Sequence, residues 1–232
     1  DWFWEFGTLD AVYGLPNMAY AFENPGVVWE ETTVAPFNEM AVQLWGSLGT
    51  VACVDSAAEL QAALTAAAAN DTDDVIQVVR DTYLTPGSAF TYSTAKSHDL
   101  QLLGGFTPGC TNRAVVPENT VLDCGRGNPV LVLESGAATS GTIRVQGLTI
   151  ANGSGGAGQT GGLFIGGESS FKGIAIVEHT IIRDNQATTG TAGLRAKTDG
   201  GILWVRNNLV VGNTSASGVG AGSLSCSGET TW

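Results

Sequence analysis

In the second half of the chain apolar residues alternate with polar ones or run in short β-branched bursts, the period-two pattern of strands rather than the 3.6-residue period of helices. The bursts recur: "IRVQGLTIANG" from Ile143, "AIVEHTIIRDN" from Ala175 and "LWVRNNLVVGN" from Leu203, each with a glycine-rich break and a "GGL", "AGL" or "GSL" triplet nearby. Setting Val145 on Val177 and Val205 also sets Ile150 on Ile182 and Val210, with steps of 32 and 28 residues. The triplet leucines Leu163, Leu194 and Leu224 fall 31 and 30 apart. Such a period predicts one circuit of strands laid on the next, with Asn and Gly at corners that turn through φ > 0. The pattern predicts an all-β parallel β-helix, a solenoid.

One stretch breaks the period. "SAAELQAALTAAAAN" (Ser56 to Asn70) predicts a helix, with Ser56 and Glu59 at capping-box spacing and Asn70 placed to end it in the left-handed conformation. Leu60, Ala63, Leu64 and Ala67 form one apolar stripe, suited to covering the open first turn of a solenoid. Strands resume at "DDVIQVVRDTYL" and continue through "HDLQLLGGF", "NTVLDCG" and "PVLVLESG". The organisation expected is an aromatic, acidic extension at 1–50, a capping-helix region at 51–73 and the β-helix at 74–232.

The extension holds four of the six tryptophans, and its rings (Trp2, Phe3, Trp4, Phe6, Tyr13, Tyr20, Phe22 and Trp29) must be buried against something. Charge sharpens the division. Residues 1–79 carry twelve carboxylates and no lysine or arginine, so the whole net charge of -12 originates there. An acidic, lysine-free surface repels phosphate backbones, which argues against nucleic acid as a partner. No apolar run reaches the roughly 20 residues of a membrane span. The chain shows no charged-then-apolar leader, so a secreted protein is expected to be in mature form from Asp1.

The fragments "ELQAALTAAAAN", "DDVIQV", "GGFTPGCTNR" (Gly104 to Arg113), "PENTVLDCG" (Pro117 to Gly125) and "GLTIANG" (Gly147 to Gly153) resemble the bacterial secreted right-handed parallel β-helix repeat proteins of the pectate-lyase-like superfamily. The resemblance covers roughly residues 55–226 and implies right-handed coiling and an extracellular location. Many such proteins have no assigned activity, while the pectinolytic members combine acids and bases on neighbouring coils.

No active-site cluster of that kind stands out. The aligned repeats put Gln146, Glu178 and Arg206 in one column and Asn152, Asp184 and Gly212 in another. Glu178 and Arg206 are expected to form a cross-coil surface ion pair. Asp123 and Arg126 lack a second carboxylate at a matched position. Glycosidases need paired carboxylates, and nucleophile-elbow, zinc-protease and phosphate-loop motifs are absent. No catalytic residue, metal site or cofactor is expected. The closest approach to a calcium loop is "NDTDD" (Asn70 to Asp74), which lacks the loop glycine and distal glutamate; it is read as a helix-to-strand loop, with calcium binding there as the lesser alternative.

Four cysteines, Cys53, Cys110, Cys124 and Cys226, form an even set compatible with two disulfides in an oxidising compartment. Of the three connectivities, Cys53 with Cys110 is favoured because both fall near the N-terminal end of the coils. Three N-x-S/T sequons occur, at Asn70, Asn152 and Asn213; the latter two are expected at corresponding corners.

The function expected is a non-catalytic extracellular structural protein, a filament or surface-layer subunit. It would assemble head to tail with copies of itself through the extension and an open C-terminal end around Leu224 and Trp232. Two alternatives are a polysaccharide-binding or polysaccharide-cleaving protein, using rings such as Trp204, and a monomeric adhesin or passenger fragment.

Overall fold

The structure is a computed structural model and describes residues 31–34, 39–42, 49–85, 87–136, 139–167 and 171–227. The chain forms two compact units, Asp1–Leu48 and Gly49–Trp232. In the first unit, β1 (Glu31–Val34) and β2 (Glu39–Val42) pair antiparallel. Trp2, Phe3, Trp4, Phe6, Tyr13, Tyr20, Phe22 and Trp29, and at the other terminus Trp232, lie outside the described residues.

The second unit is built almost wholly of parallel strands with one helix. Six strands form one sheet, here called the first: β3 (Thr50–Val54), β4 (Asp74–Val79), β7 (Leu100–Phe106), β10 (Thr142–Gln146), β14 (Ile174–Glu178) and β18 (Ile202–Arg206). The second sheet holds β5 (Thr82–Leu84), β8 (Val121–Asp123), β11 (Thr149–Ala151), β15 (Ile181–Arg183) and β19 (Leu209–Val211). The third holds β6 (Phe90–Thr94), β9 (Leu131–Ser135), β13 (Leu163–Gly166), β17 (Leu194–Asp199) and β21 (Gly222–Ser227). A short sheet of β12 (Ser154–Gly155), β16 (Gln186–Ala187) and β20 (Thr214–Ser215) sits between the second and third in the later circuits. The chain visits first, second and third sheets in that order, and each strand pairs in parallel with its counterpart one circuit on.

This pairing aligns inward side chains into columns. Ile76, Leu102, Val145 and Val177 form one, Tyr83, Leu122, Ile150 and Ile182 a second, and Tyr92, Leu133, Ile165 and Ala196 a third; all are buried. Alternation drives the sorting, because successive side chains of a strand point to opposite faces and only one face can leave water. The expected register of Val145 with Val177 and Val205, and of Ile150 with Ile182 and Val210, is the observed one. The triplet leucines need a correction. Leu163 pairs with Leu194, but Leu194 pairs with Gly222 and Leu224 with Ala196. The step between the last two circuits is 28 residues in every sheet, so the third triplet slips by two positions while the strand keeps its facing.

Corners are set by left-handed residues in matching columns. Gly147, His179 and Asn207 have φ of 73°, 48° and 55°, and Asn152, Asp184 and Gly212 have φ of 57°, 57° and 67°. Asn, Asp and Gly tolerate this region at little cost, which explains the column's composition. Asn213 does not share the Asn152 corner as expected. It lies one column on, beside Asn185, where the side chains do main-chain work: Asn185 Oδ1 accepts from Gly153 N at 2.7 Å, and Asn213 Oδ1 accepts from Asn185 N at 3.0 Å. Their amides donate back to Ile150 O at 3.1 Å and Ile182 O at 2.9 Å.

The helix α1 (Ala57–Ala69) packs against β3, β4 and β6, with Leu60 and Leu64 fully buried. Ser56 Oγ accepts from Glu59 N, and Glu59 Oε2 reaches back to Asp55 N at 3.0 Å. Asn70 ends the helix in an extended conformation, φ -83°, not the left-handed one expected. Its side chain instead closes an Asx turn, Oδ1 accepting from Thr72 N at 3.0 Å, and this removes the need for φ > 0. On the outer edge of β6, Gln61 copies a strand: Thr91 N donates to its Oε1 at 2.9 Å, and its Nε2 donates to Thr91 O at 3.0 Å. The helix's last carbonyls are taken by Thr94 Oγ1 on Ala68 O and Lys96 Nζ on Ala69 O.

Cys53 and Cys110 are joined by a disulfide that closes a separation of 57 residues. Cys124 and Cys226 are free thiols, so the second pairing is not made. Cys124 follows β8 in the second sheet and Cys226 lies next to the end of β21 in the third. Three circuits separate them, about 14 Å at 4.8 Å per step, beyond the roughly 7 Å that a disulfide can bridge.

Two outcomes are expected in urea unfolding. Leu102→Ala empties the centre of a buried column and is expected to cost about 2–5 kcal/mol. Replacing Cys53 and Cys110 together by serine is expected to cost about 2–4 kcal/mol, chiefly by freeing the unfolded chain.

Candidate functional site

A concentration of buried charge lies at the end of β14. Glu178, with 2% of its side chain exposed, sits in the column Gln146, Glu178, Arg206. Arg206 Nε donates to its Oε2 at 2.7 Å, Gln146 Nε2 donates to its Oε1 at 2.8 Å, and Arg144 Nη2 donates to the same Oε1. Arg144 lies opposite Ile176, two residues off the column, so it reaches Glu178 along the diagonal between neighbouring strands. Burial pushes the Glu178 carboxyl up, but the hydrogen bonds from Arg206 and Arg144 outweigh it and hold the group below the ordinary glutamate range.

The expected surface ion pair is therefore a buried clamp with three donors. Alternation alone placed Glu178 and Arg206 on the outer face, correctly, but could not show that two arginines and a glutamine would cover the carboxylate. The signal for Arg144 was present in the sequence, an arginine two residues before Gln146 on the preceding circuit. A carboxylate so held is ionised near neutrality, with both oxygens engaged by three donors, so it fixes three circuits to one another rather than exchanging protons.

The remaining candidates are engaged locally. Asp123 Oδ1 accepts from Gly125 N and Oδ2 from Asn152 Nδ2, each at 2.8 Å, which ties a corner to the next circuit. Arg126 has φ of 68° at that corner. The acids of "NDTDD" do not converge: Asp71 pairs with Lys96 at 2.8 Å, Asp73 accepts from Asp99 N at 2.9 Å, and Asp74 accepts from Asn70 Nδ2 at 3.1 Å. The Lys96 hydrogen bond holds Asp71 below its usual range. Among the described residues no group of three or more His, Cys, Asp or Glu side chains is arranged to hold a metal ion. His98 is buried, its Nε2 3.1 Å from Tyr92 Oη and 3.0 Å from Ala67 O.

A different kind of site lies at the last circuit. Strands β18, β19, β20 and β21 have a partner on one side only among the described residues. Their columns lose their cover there. Ala175, Val177 and Ile182 are at most 1% exposed, whereas Leu203, Val205 and Val210 in the same columns are only partly buried. Leu224, below fully buried Ala196, is 56% exposed. Leu203, Trp204, Val205 and Arg206 line an open depression of about 330 Å³, with the Arg206 guanidinium 5.7 Å from the centre of the Trp204 ring.

No protein-family model matches the chain, and no curated protein or solved structure matches it. What the structure defines is a class by architecture, a β-rich protein of mostly parallel sheets with one helix, a buried charge clamp and a final circuit that no described residue covers. No helix among the described residues is long and apolar enough to cross a membrane.

Because the folded state lowers the Glu178 pKa, its stabilisation is complete above the unfolded value of about 4.3 and is lost as pH falls through the lower folded value. Glu178→Gln is expected to cost about 1–3 kcal/mol at pH 7, reduced from the fully buried case because Arg144 and Arg206 can rehydrate. The gap between variant and wild type should close as unfolding is measured at successively lower pH below that of an ordinary glutamate.

Proposed function

We propose that this protein is a right-handed parallel β-helix acting as a non-catalytic extracellular structural protein, a filament or surface-layer subunit that assembles head to tail. The observation that carries the reading is the asymmetry of the two ends of the second unit. At the first circuit, α1 buries Leu60 and Leu64 and lends Gln61 to the edge of β6. At the last circuit, the buried columns end on exposed Leu224 and half-covered Leu203, Val205 and Val210, beside strand edges unpaired among the described residues. An edge of that kind is a template for a strand from another molecule, with main-chain bonds for affinity and column pockets for specificity. Repeated between copies, the contact is heterologous and propagates. The acidic aromatic extension, 1–50, is the donor in this reading.

The Cys53–Cys110 disulfide supports an oxidising, extracellular location. The resemblance to secreted β-helix repeat proteins points the same way and supports the handedness. Engagement of Glu178 by three donors speaks for structure over catalysis.

Exposed Trp204, flanked by Arg206, favours one second reading, a platform for a polysaccharide. Electron microscopy and sedimentation of the full chain over a concentration series separate the two. Fibres, or a sedimentation coefficient that grows with concentration, are expected. A single particle at high concentration overturns assembly. Binding or turnover of acidic glycans that Trp204→Ala or Glu178→Ala abolishes would establish the polysaccharide reading in its place.

A further inference from the structure

The segment Gly26–Glu31, "GVVWEE", repeats the pattern of Gly201–Arg206, "GILWVR". The likeness runs on: Asn38 follows Gly26 by the same interval as Asn213 follows Gly201, and "GSL" closes both stretches, at 46–48 and 222–224. Because β18 is Ile202–Arg206 and its outer edge is unpaired among the described residues, this likeness fixes a register. We propose that residues 27–31 of a second copy add to β18 as a parallel strand, with Trp29 beside Trp204 and Glu31 beside Arg206. This deepens the head-to-tail reading above and rests on it.

Column chemistry selects that register. Val28 falls below Leu203, extending the inward column of Ile143 and Ala175. Trp29 meets the half-exposed Trp204 ring on the outer face. Glu31 continues the column Gln146, Glu178, Arg206, so that an acid follows the arginine as the arginine follows an acid. Arg206 can receive it: Glu178 engages its Nε, its side chain is 58% exposed, and a guanidinium carries five N–H donors. A one-residue slip would put both tryptophans and both charges on opposite faces.

Glu30 falls on the inward column below Val205. An inward-pointing charge is a device that stops an edge from accepting further strands, so the docked segment covers β18 and discourages further addition at that edge. Only Glu31 is shared with β1, and β1 pairs with β2 through Glu31–Val34, so docking leaves most of that hairpin in place.

The full chain supplies the test. Glu31→Arg is expected to weaken self-association about tenfold or more by placing like charges side by side, while Glu39→Arg, an equal change in net charge outside the register, leaves it unchanged. Chains carrying Trp29→Cys and Cys226→Ser, mixed with chains carrying Trp204→Cys and Cys226→Ser, are expected to form a disulfide-linked pair on a non-reducing gel, since adjacent strands bring Cα atoms within bridging distance. Assembly that survives Glu31→Arg undiminished and gives no mixed cross-link overturns the register while leaving head-to-tail assembly intact. A chain bearing both cysteines that links only to itself overturns the second copy as the occupant. A wild-type chain that never self-associates overturns both.

Discussion

Main-chain hydrogen bonding between one circuit and the next is the constraint on which the rest of this structure depends. A parallel strand satisfies its N–H and C=O groups only if a neighbour runs beside it in register, and here every strand from β4 to β17 in the three main sheets has one on each side, except β5 and β6 at the start. Register in turn fixes the columns, and the columns fix what each position can be. Where the ladder is interrupted at corners, Asn185, Asn213 and Asn208 substitute side-chain amides for missing main-chain partners, Asn208 Oδ1 accepting from Thr180 N and its Nδ2 donating to Val177 O. The same need explains Gln61 at the edge of β6, which presents one donor and one acceptor with the spacing of a strand residue.

The constraint has an opposite consequence at the two ends. The first circuit is covered by a helix whose own unsatisfied carbonyls are taken up by Thr94 and Lys96, so backbone groups of both elements find partners in each other. At the last circuit the ladder simply ends among the described residues, and the apolar columns end with it. Burial of Ala175 and Val177 against partial exposure of Leu203 and Val205 measures what one further strand would contribute. Function, in the reading proposed, is this residual valence.

Charge follows the same logic on the outer face. Glu178 could have been left as a solvated surface residue, yet Arg144, Gln146 and Arg206 converge on it from the circuits on either side. A single carboxylate cross-linking two neighbouring strands costs desolvation, which the three donors offset. The geometry selects an ionised, immobile group.

The sequence by itself determined the strand period, the register of Val145, Val177 and Val205, the position of the helix and the column of Gln146, Glu178 and Arg206. These are legible because they are local or periodic: alternation, capping-box spacing and a recurring interval need no knowledge of what lies across the fold. Only the tertiary structure decided the rest. It slid Leu224 onto Ala196, separated Asn213 from Asn152 by one column, ended α1 with an Asx turn at Asn70, left Cys124 and Cys226 apart, and brought Arg144 diagonally onto Glu178. Apart from the Asx turn, which is local, each of these depends on distances between residues far apart in the chain, where a shift of one or two positions changes the partner without changing the pattern of apolar and polar residues.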